Sequence, residues 1–204
     1  MNTMDIWMIV GAAIAAVIIA LVVVKLILAW NQRRLGIDGT RRVEKLLKRF
    51  ARIRHFRVLS NVTLPLKEKS VTIDHILIGF FGVMLITVRN AKGTIYGMGR
   101  DKNWVRVVMK NEQEKRGTFT NPIPENQHCL EAMRNLLLAN QVYKTSIENY
   151  IVFANKKAVL NTERGLPVLT FRDLKKLLKK SKYSADGNVD VEKLSELILS
   201  AAIH

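Results

Sequence analysis

A long uncharged apolar run near the start of the chain constrains the fold more than any other feature. From Ile6 to Val24 there are 19 consecutive residues without a charged or strongly polar side chain. At about 1.5 Å of helical rise per residue, such a run spans a hydrocarbon core of about 30 Å. A buried helix of a soluble domain is normally shorter and shows a polar face. The run therefore predicts a transmembrane helix.

The charges beside this run predict its orientation. Asp5 is the only ionisable side chain before it. Basic residues follow it closely, at Arg33, Arg34, Arg41, Arg42, Lys45, Lys48 and Arg49. Because cytoplasmic flanks are rich in Lys and Arg, we expect the N-terminus outside the cell membrane and the C-terminal part in the cytoplasm. A cleaved signal peptide is the alternative, but the basic n-region is missing and the run is longer than a usual h-region.

The excess of basic residues restricts the kinds of partner. The chain has 33 Lys and Arg against 17 Asp and Glu, a formal net charge of +16. A surface this basic favours either nucleic acid or the anionic inner leaflet, and composition does not choose between them. The single cysteine, Cys129, excludes an internal disulfide and any multi-cysteine zinc site, which agrees with a reducing cytoplasm.

The order of apolar patterns after the run predicts an α/β domain with one mixed sheet flanked by helices. Helices are expected over residues 40–54 and around residues 129–137, 174–178 and 191–201, and strands over residues 55–64, 71–78, 83–88, 93–98, 104–109, 150–154 and 168–170. Thr40 and Asp190 are the expected N-caps of the first and last helices. The polar segment 110–120 has no periodicity and is expected to form a loop or lid.

Several motifs occur in an order that is known from one family. They are Gly36-x-x-Gly39 at the start of a helix, Ile73-Asp74-His75-Ile76, the strand 82–90 with Gly93 after it, Trp104, and Asn121-Pro122 before a helix. Over residues 36–155 this succession resembles the nuclease-related domain family, often called NERD. The resemblance implies a restriction-endonuclease-like fold of the PD-(D/E)xK type.

The resemblance also implies a site. The family's site has an Asp on one strand, Glu-x-Lys on the next, and a further Glu on the preceding helix. In the family two acids hold Mg²⁺ through oxygen ligands, and the Lys helps to position or activate the water that attacks the phosphodiester. Asp74 matches the Asp and is the implied metal ligand. The other positions hold Thr87, Arg89 and Thr40. Since alternate residues on a strand share a face, we expect Thr87 and Arg89 to point toward Asp74.

These substitutions damage the implied site. A hydroxyl brings no charge to a metal, and Arg does not release a proton near neutral pH. Glu125 stands where the family usually has Gln, and Glu125 or Glu44 is a candidate replacement ligand. Asp74 has an equally plain interpretation as a structural acid paired with Arg89. His75 is expected to be a core histidine with its hydrogen bonds satisfied.

Taken together, the sequence predicts a membrane anchor over residues 1–32, a nuclease-related domain over 33–155, and a segment 156–204 that completes the same domain. The expected function is nucleic-acid binding with lost or weakened Mg²⁺-dependent hydrolysis, and the sequence leaves open whether the chain is an enzyme. Two alternatives stay open. One is an active nuclease with a rebuilt site, and the other is a membrane scaffold that binds anionic lipid or a protein partner.

Overall fold

The computed structural model describes residues 37–183 and 189–203, together with residues 18, 19, 21 and 23. The chain divides into two compact units, Met1–Asp38 and Gly39–His204. Within the described part of the chain, no helix is both long enough and apolar enough to cross a bilayer. The predicted span 6–24 lies outside the described residues except for those four, which are helical and exposed.

Four helices and one short 3₁₀ turn are described. They are α1 (Ile37–Arg52), α2 (Ile123–Ala139), α3 (Phe171–Leu177), the 3₁₀ turn Ser181–Tyr183 and α4 (Val191–Ser200). The predicted cap of the last helix is confirmed, because the Asp190 side chain accepts a hydrogen bond from the Lys193 amide. The predicted cap at Thr40 is wrong, since α1 already begins at Ile37. Gly39 lies inside this helix, where a Cβ would stand 3.1 Å from the Cβ atoms of Asn90 and Ala154.

Nine strands form two sheets among the described residues. The strands are β1 (Arg57–Leu66), β2 (Lys69–Gly79), β3 (Gly82–Arg89), β4 (Gly93–Gly97), β5 (Asn103–Lys110), β6 (Gln113–Thr120), β7 (Ile147–Phe153), β8 (Ala158–Thr162) and β9 (Val168–Thr170). The main sheet has the order β1-β2-β3-β7-β9 and the second sheet has the order β6-β5-β4-β8. Both are mixed, with antiparallel and parallel pairs.

The prediction of a single sheet is therefore corrected. Strand β3 pairs antiparallel with β2 on one side and parallel with β7 on the other. Because both edges of β3 are occupied, the chain that follows cannot add β4 beside it. Strand β4 pairs instead with β5 and β8. The mixed α/β class itself is confirmed.

The main sheet is covered on both faces, as the two-sided apolar patterns of β2 and β3 predict. Seven consecutive residues of β3, Gly82–Val88, are buried. One face of the sheet packs against α2 and α4 around Leu85, Met133 and Ile198. The other face packs against α1 and α3 around Leu47, Ile86 and Leu174. A smaller cluster surrounds the fully buried Trp104.

The polar segment that was expected to be a loop is largely a strand. β6 pairs along its full length with β5, from the pair of Gln113 with Lys110 to the pair of Thr120 with Asn103. It is an edge strand whose residues are mostly exposed, so backbone pairing rather than burial holds it, and its sequence needs no apolar period. Strand β8 was not predicted.

Gly82 gives a direct test of the β2–β3 turn. Its φ is +111°, and an added Cβ would stand 2.2 Å from the Ser146 carbonyl oxygen. Gly165 also has a positive φ, +88°, but nothing lies within 4 Å of the position of its Cβ. We expect Gly165→Ala to lose about 1–2 kcal/mol of unfolding free energy from the backbone alone. Gly82→Ala is expected to lose about 4 kcal/mol, because the steric clash is added.

Urea unfolding of the full chain measures both values. Equal losses in the two variants would contradict the close contact between Gly82 and the β7 entry loop.

Candidate active site

Asp74 lies where strands β2 and β3 separate. The antiparallel ladder between them ends at the pair His75 and Ile86. One residue further along β2, the Asp74 Oδ2 atom accepts a hydrogen bond from the backbone amide of Val88, at 2.6 Å. A carboxylate is a strong acceptor for a backbone amide. The half-buried Asp74 side chain therefore continues the contact between two strands after their backbone ladder has ended.

Thr87 is bound to helix α2 through Asn126. Its side chain is buried, and its hydroxyl donates to the Asn126 Oδ1 atom at 3.2 Å. The main-chain oxygen of Asn126 accepts from the Asn149 side chain at 3.3 Å. The Nδ2 atom of Asn126 is buried and has no hydrogen-bond partner within the part of the chain that the structure describes. Where the family has a metal-binding Glu, this chain therefore has the Thr87 hydroxyl, which is hydrogen-bonded to the buried Asn126 side chain.

Arg89 forms an ion pair with Glu125, which lies in the first turn of α2. The Arg89 Nη2 atom donates to the Glu125 Oε2 atom, and Nη1 donates to the Val88 carbonyl at 3.1 Å. The Arg89 side chain is 28% exposed and that of Glu125 is 54% exposed, so the pair reaches solvent. The expected partner of Asp74 in a structural ion pair was Arg89. The structure pairs Asp74 with an amide and Arg89 with Glu125.

Cys129 lies near Asp74, Thr87, Arg89 and Glu125. The sequence analysis did not predict this position. It follows Glu125 by four residues on α2, the spacing that places two side chains on one helical face. The thiol is almost completely buried. Burial raises the pKa of the Cys129 thiol to about 11, and the negative charge of Glu125 acts in the same direction. The spacing from Glu125 was the available signal in the sequence.

Thr40 and Glu44 belong to a different cluster, which surrounds His75. The buried His75 ring places Nε2 3.1 Å from the Thr40 carbonyl oxygen and Nδ1 3.0 Å from the Ser60 hydroxyl. Because a carbonyl only accepts, Nε2 donates to it and Nδ1 accepts from Ser60. Burial lowers the pKa of His75. Glu44 contacts Ser60 at 3.4 Å and Lys48 at 2.7 Å, so the structure brings neither Thr40 nor Glu44 to Asp74.

The donor set around Asp74 does not fit Mg²⁺. Magnesium takes six oxygen ligands in a nearly octahedral arrangement, usually with one or two carboxylates free to bind it. Here an oxygen of Asp74 accepts from an amide, and Arg89 neutralises Glu125. Among the described residues, the buried side-chain polar atom without a partner, Asn126 Nδ2, is a donor. Across the described residues there is no group of three or more His, Cys, Asp or Glu side chains that suits a metal ion.

The fold and the site define a mixed α/β domain with a polar cluster beside its central strand. The family model for the nuclease-related domain matches residues 35–154. The chain belongs to the nuclease-related domain family. It is also similar to an uncharacterized protein of Bacillus anthracis, with 28% identity over 164 residues that cover 78% of this chain and 75% of that protein. No solved structure matches the chain.

The burial of Cys129 leads to a test of this arrangement. A rise in the thiol pKa from 9.0 to about 11 lowers the thiolate fraction at neutral pH by about a hundredfold. We expect iodoacetamide to label the folded chain at least that much more slowly than the urea-unfolded chain. The folded rate should keep rising with pH until about 11.

Mass spectrometry of the intact protein follows the labelling, and Cys129→Ser shows the background from other side chains. A folded-state rate that levels off near the ordinary thiol pKa of 9.0 would contradict the buried position.

Proposed function

We propose that this protein is a nuclease-related domain anchored to the cytoplasmic face of the cell membrane, and that it binds nucleic acid without Mg²⁺-dependent hydrolysis. Family membership supports a function related to nucleic acid. The apolar run Ile6–Val24 and the basic residues after it support the anchor and its orientation. The net charge of +16 supports a polyanionic ligand.

The ion pair between Arg89 and Glu125 carries the proposal that hydrolysis is lost. A nuclease of this type needs carboxylates that are free to hold a divalent cation near the scissile phosphate. Of the two candidate replacement ligands, Glu44 contacts Ser60 and Lys48, and Glu125 is already paired with Arg89. A fixed guanidinium in that position repels a metal ion. The same guanidinium favours a phosphate group.

Four basic residues on or against the loops that follow β3 and β7 provide a surface for phosphates, and we call them the basic edge. They are Arg42, Lys92, Lys156 and Lys157. The loops that follow the parallel strands β3 and β7 meet at this edge, because the Gly93 amide donates to the Lys157 carbonyl at 3.0 Å. The Arg42 guanidinium donates to the Ala154 carbonyl at 2.7 Å and so holds α1 against the same loops. The three lysines are exposed.

A second candidate function is an active nuclease with a rebuilt site. The observation that favours it is the position of Glu125, which lies with Asp74 and Arg89 around Cys129. This function requires the Arg89 contact to break when a metal binds. Glu44, the other candidate ligand, contacts Ser60 beside His75 and has no role in this alternative.

A nuclease assay separates the two functions. The full chain in detergent is expected to leave single- and double-stranded DNA and RNA uncut with either Mg²⁺ or Mn²⁺, because Asp74 accepts a hydrogen bond from the Val88 amide and Glu125 is paired with Arg89. Asp74→Asn is the appropriate comparison, since an amide oxygen still accepts from the Val88 N–H group. Cleavage by the native chain that disappears in Asp74→Asn and in Glu125→Gln would establish the rebuilt site.

Nucleic-acid binding is tested by fluorescence anisotropy with a labelled DNA duplex at several salt concentrations. We expect affinity to fall steeply with salt, with a slope that decreases by roughly 0.9 for each phosphate contact removed. Lys92→Gln/Lys156→Gln should weaken binding and lower the slope. The control is Arg172→Gln/Lys176→Gln, which removes the same charge from helix α3. Equal effects of both double variants, or an affinity that does not change with salt concentration, would contradict binding of nucleic acid at the basic edge.

A further inference from the structure

A groove between the C-terminal half of α1 and helix α3 is separate from the candidate active site. It encloses about 530 Å³. Its apolar lining consists of Leu46, Phe50, Ile53 and Leu178. Ile53 stands at its edge with 71% of its side chain exposed, although it follows directly on a helix whose other apolar residues are largely covered. An apolar lining that is open to solvent accommodates the apolar part of an amphiphilic ligand.

The rim of this groove is strongly cationic, and we call the whole feature the basic groove. Six of its lining residues are basic, namely Arg49, Arg54, Arg172, Lys175, Lys176 and Lys179. None of the described residues that line it is acidic. An apolar floor inside a ring of cations complements a molecule that has an anionic head and an apolar tail.

The geometry favours lipid over nucleic acid as the occupant. A single-stranded nucleic acid needs exposed aromatic faces on which its bases stack. Phe50 is the only aromatic ring among the described lining residues, and the Arg54 guanidinium covers it at 4.2 Å from its centroid. The other floor residues are aliphatic. Aliphatic side chains between cations are typical of surfaces that lie in the headgroup region of an anionic membrane.

We propose that the basic groove binds the headgroup of an anionic phospholipid of the bilayer, with Ile53 placed among the acyl chains. This proposal rests on the membrane anchor proposed above, since only residues 25–36 separate the predicted span from α1 in the sequence. The two proposed sites consist of different residues, although Arg42 of the basic edge and Lys175 of the basic groove both contact the Phe171 ring, at 6.0 and 5.1 Å from its centroid. The basic edge contacts phosphates of nucleic acid, and the basic groove contacts phosphates of lipid.

Native mass spectrometry of the full chain, released from mild uncharged detergent, tests the proposal. The chain is offered equal amounts of phosphatidylglycerol and phosphatidylcholine, and retained lipid is counted. We expect preferential retention of phosphatidylglycerol, lowered at least about tenfold in Arg172→Gln/Lys176→Gln, because each removed cation weakens binding severalfold. Lys92→Gln/Lys156→Gln is the matched control and should retain phosphatidylglycerol like the native chain. Glycerol phosphate in place of lipid should not be retained, since it lacks the acyl chains.

The possible outcomes separate this proposal from the proposed function. Equal loss of phosphatidylglycerol in both double variants would contradict lipid binding at the basic groove and would indicate a general effect of charge. Retention of glycerol phosphate would contradict a lipid as the occupant and would indicate a free phosphate ligand. Extraction of cell membranes at alkaline pH tests the anchor by itself. A chain that stays in the membrane without any preference for phosphatidylglycerol would refute the groove and leave the anchor standing.

Discussion

The hydrogen bond from the Val88 amide to Asp74 is the contact on which the arrangement of the candidate site depends. The backbone ladder between β2 and β3 stops at His75 and Ile86, and this side chain holds the strands together one step beyond. A buried amide without a partner costs about 1–3 kcal/mol, so the carboxylate has a structural role that does not need a metal. It also fixes β3 where the strand continues in parallel pairing with β7.

This contact determines what the neighbouring side chains do. With Asp74 held at Val88, Thr87 donates to the buried Asn126, and Arg89 extends to Glu125 at the surface. Each group that the family pattern would turn toward a cation is instead bound to another group of the protein. The outer part of this cluster is the Arg89 guanidinium, which reaches solvent together with Glu125. Such a surface attracts phosphate and disfavours a divalent cation.

Periodicity predicted the regular part of this fold. Strands β2 and β3 are apolar on both faces and occupy the middle of the covered sheet, and Asp190 caps α4 as its sequence context indicates. The edge strand β6 escaped prediction because exposed backbone pairing leaves no apolar signal. Thr40 failed as a cap because the helix already begins at Ile37, with Gly39 packed closely against Asn90 and Ala154 inside it.

The site was only partly predictable from the sequence. Strand alternation predicts that Thr87 and Arg89 point toward Asp74, but nothing in the sequence shows whether Glu125 or Glu44 faces these residues. The pairing of these side chains does not follow from the sequence. Asp74 and Glu125 are both acids that could pair with Arg89. The structure pairs Arg89 with Glu125, and Asp74 accepts from the Val88 amide. Glu44 illustrates the same limit. Its helix packs on the face of the sheet that holds His75, and no pattern in the sequence indicates which face α1 covers.

The most direct test of this account is the binding of Mn²⁺ to the full chain, measured by electron paramagnetic resonance of the free ion. If Arg89 and the Val88 amide occupy the carboxylates, the free-ion signal will be the same with the native chain and with Asp74→Asn. Saturable, stoichiometric loss of the signal with the native chain, restored in Asp74→Asn, would contradict the account and identify a working metal site.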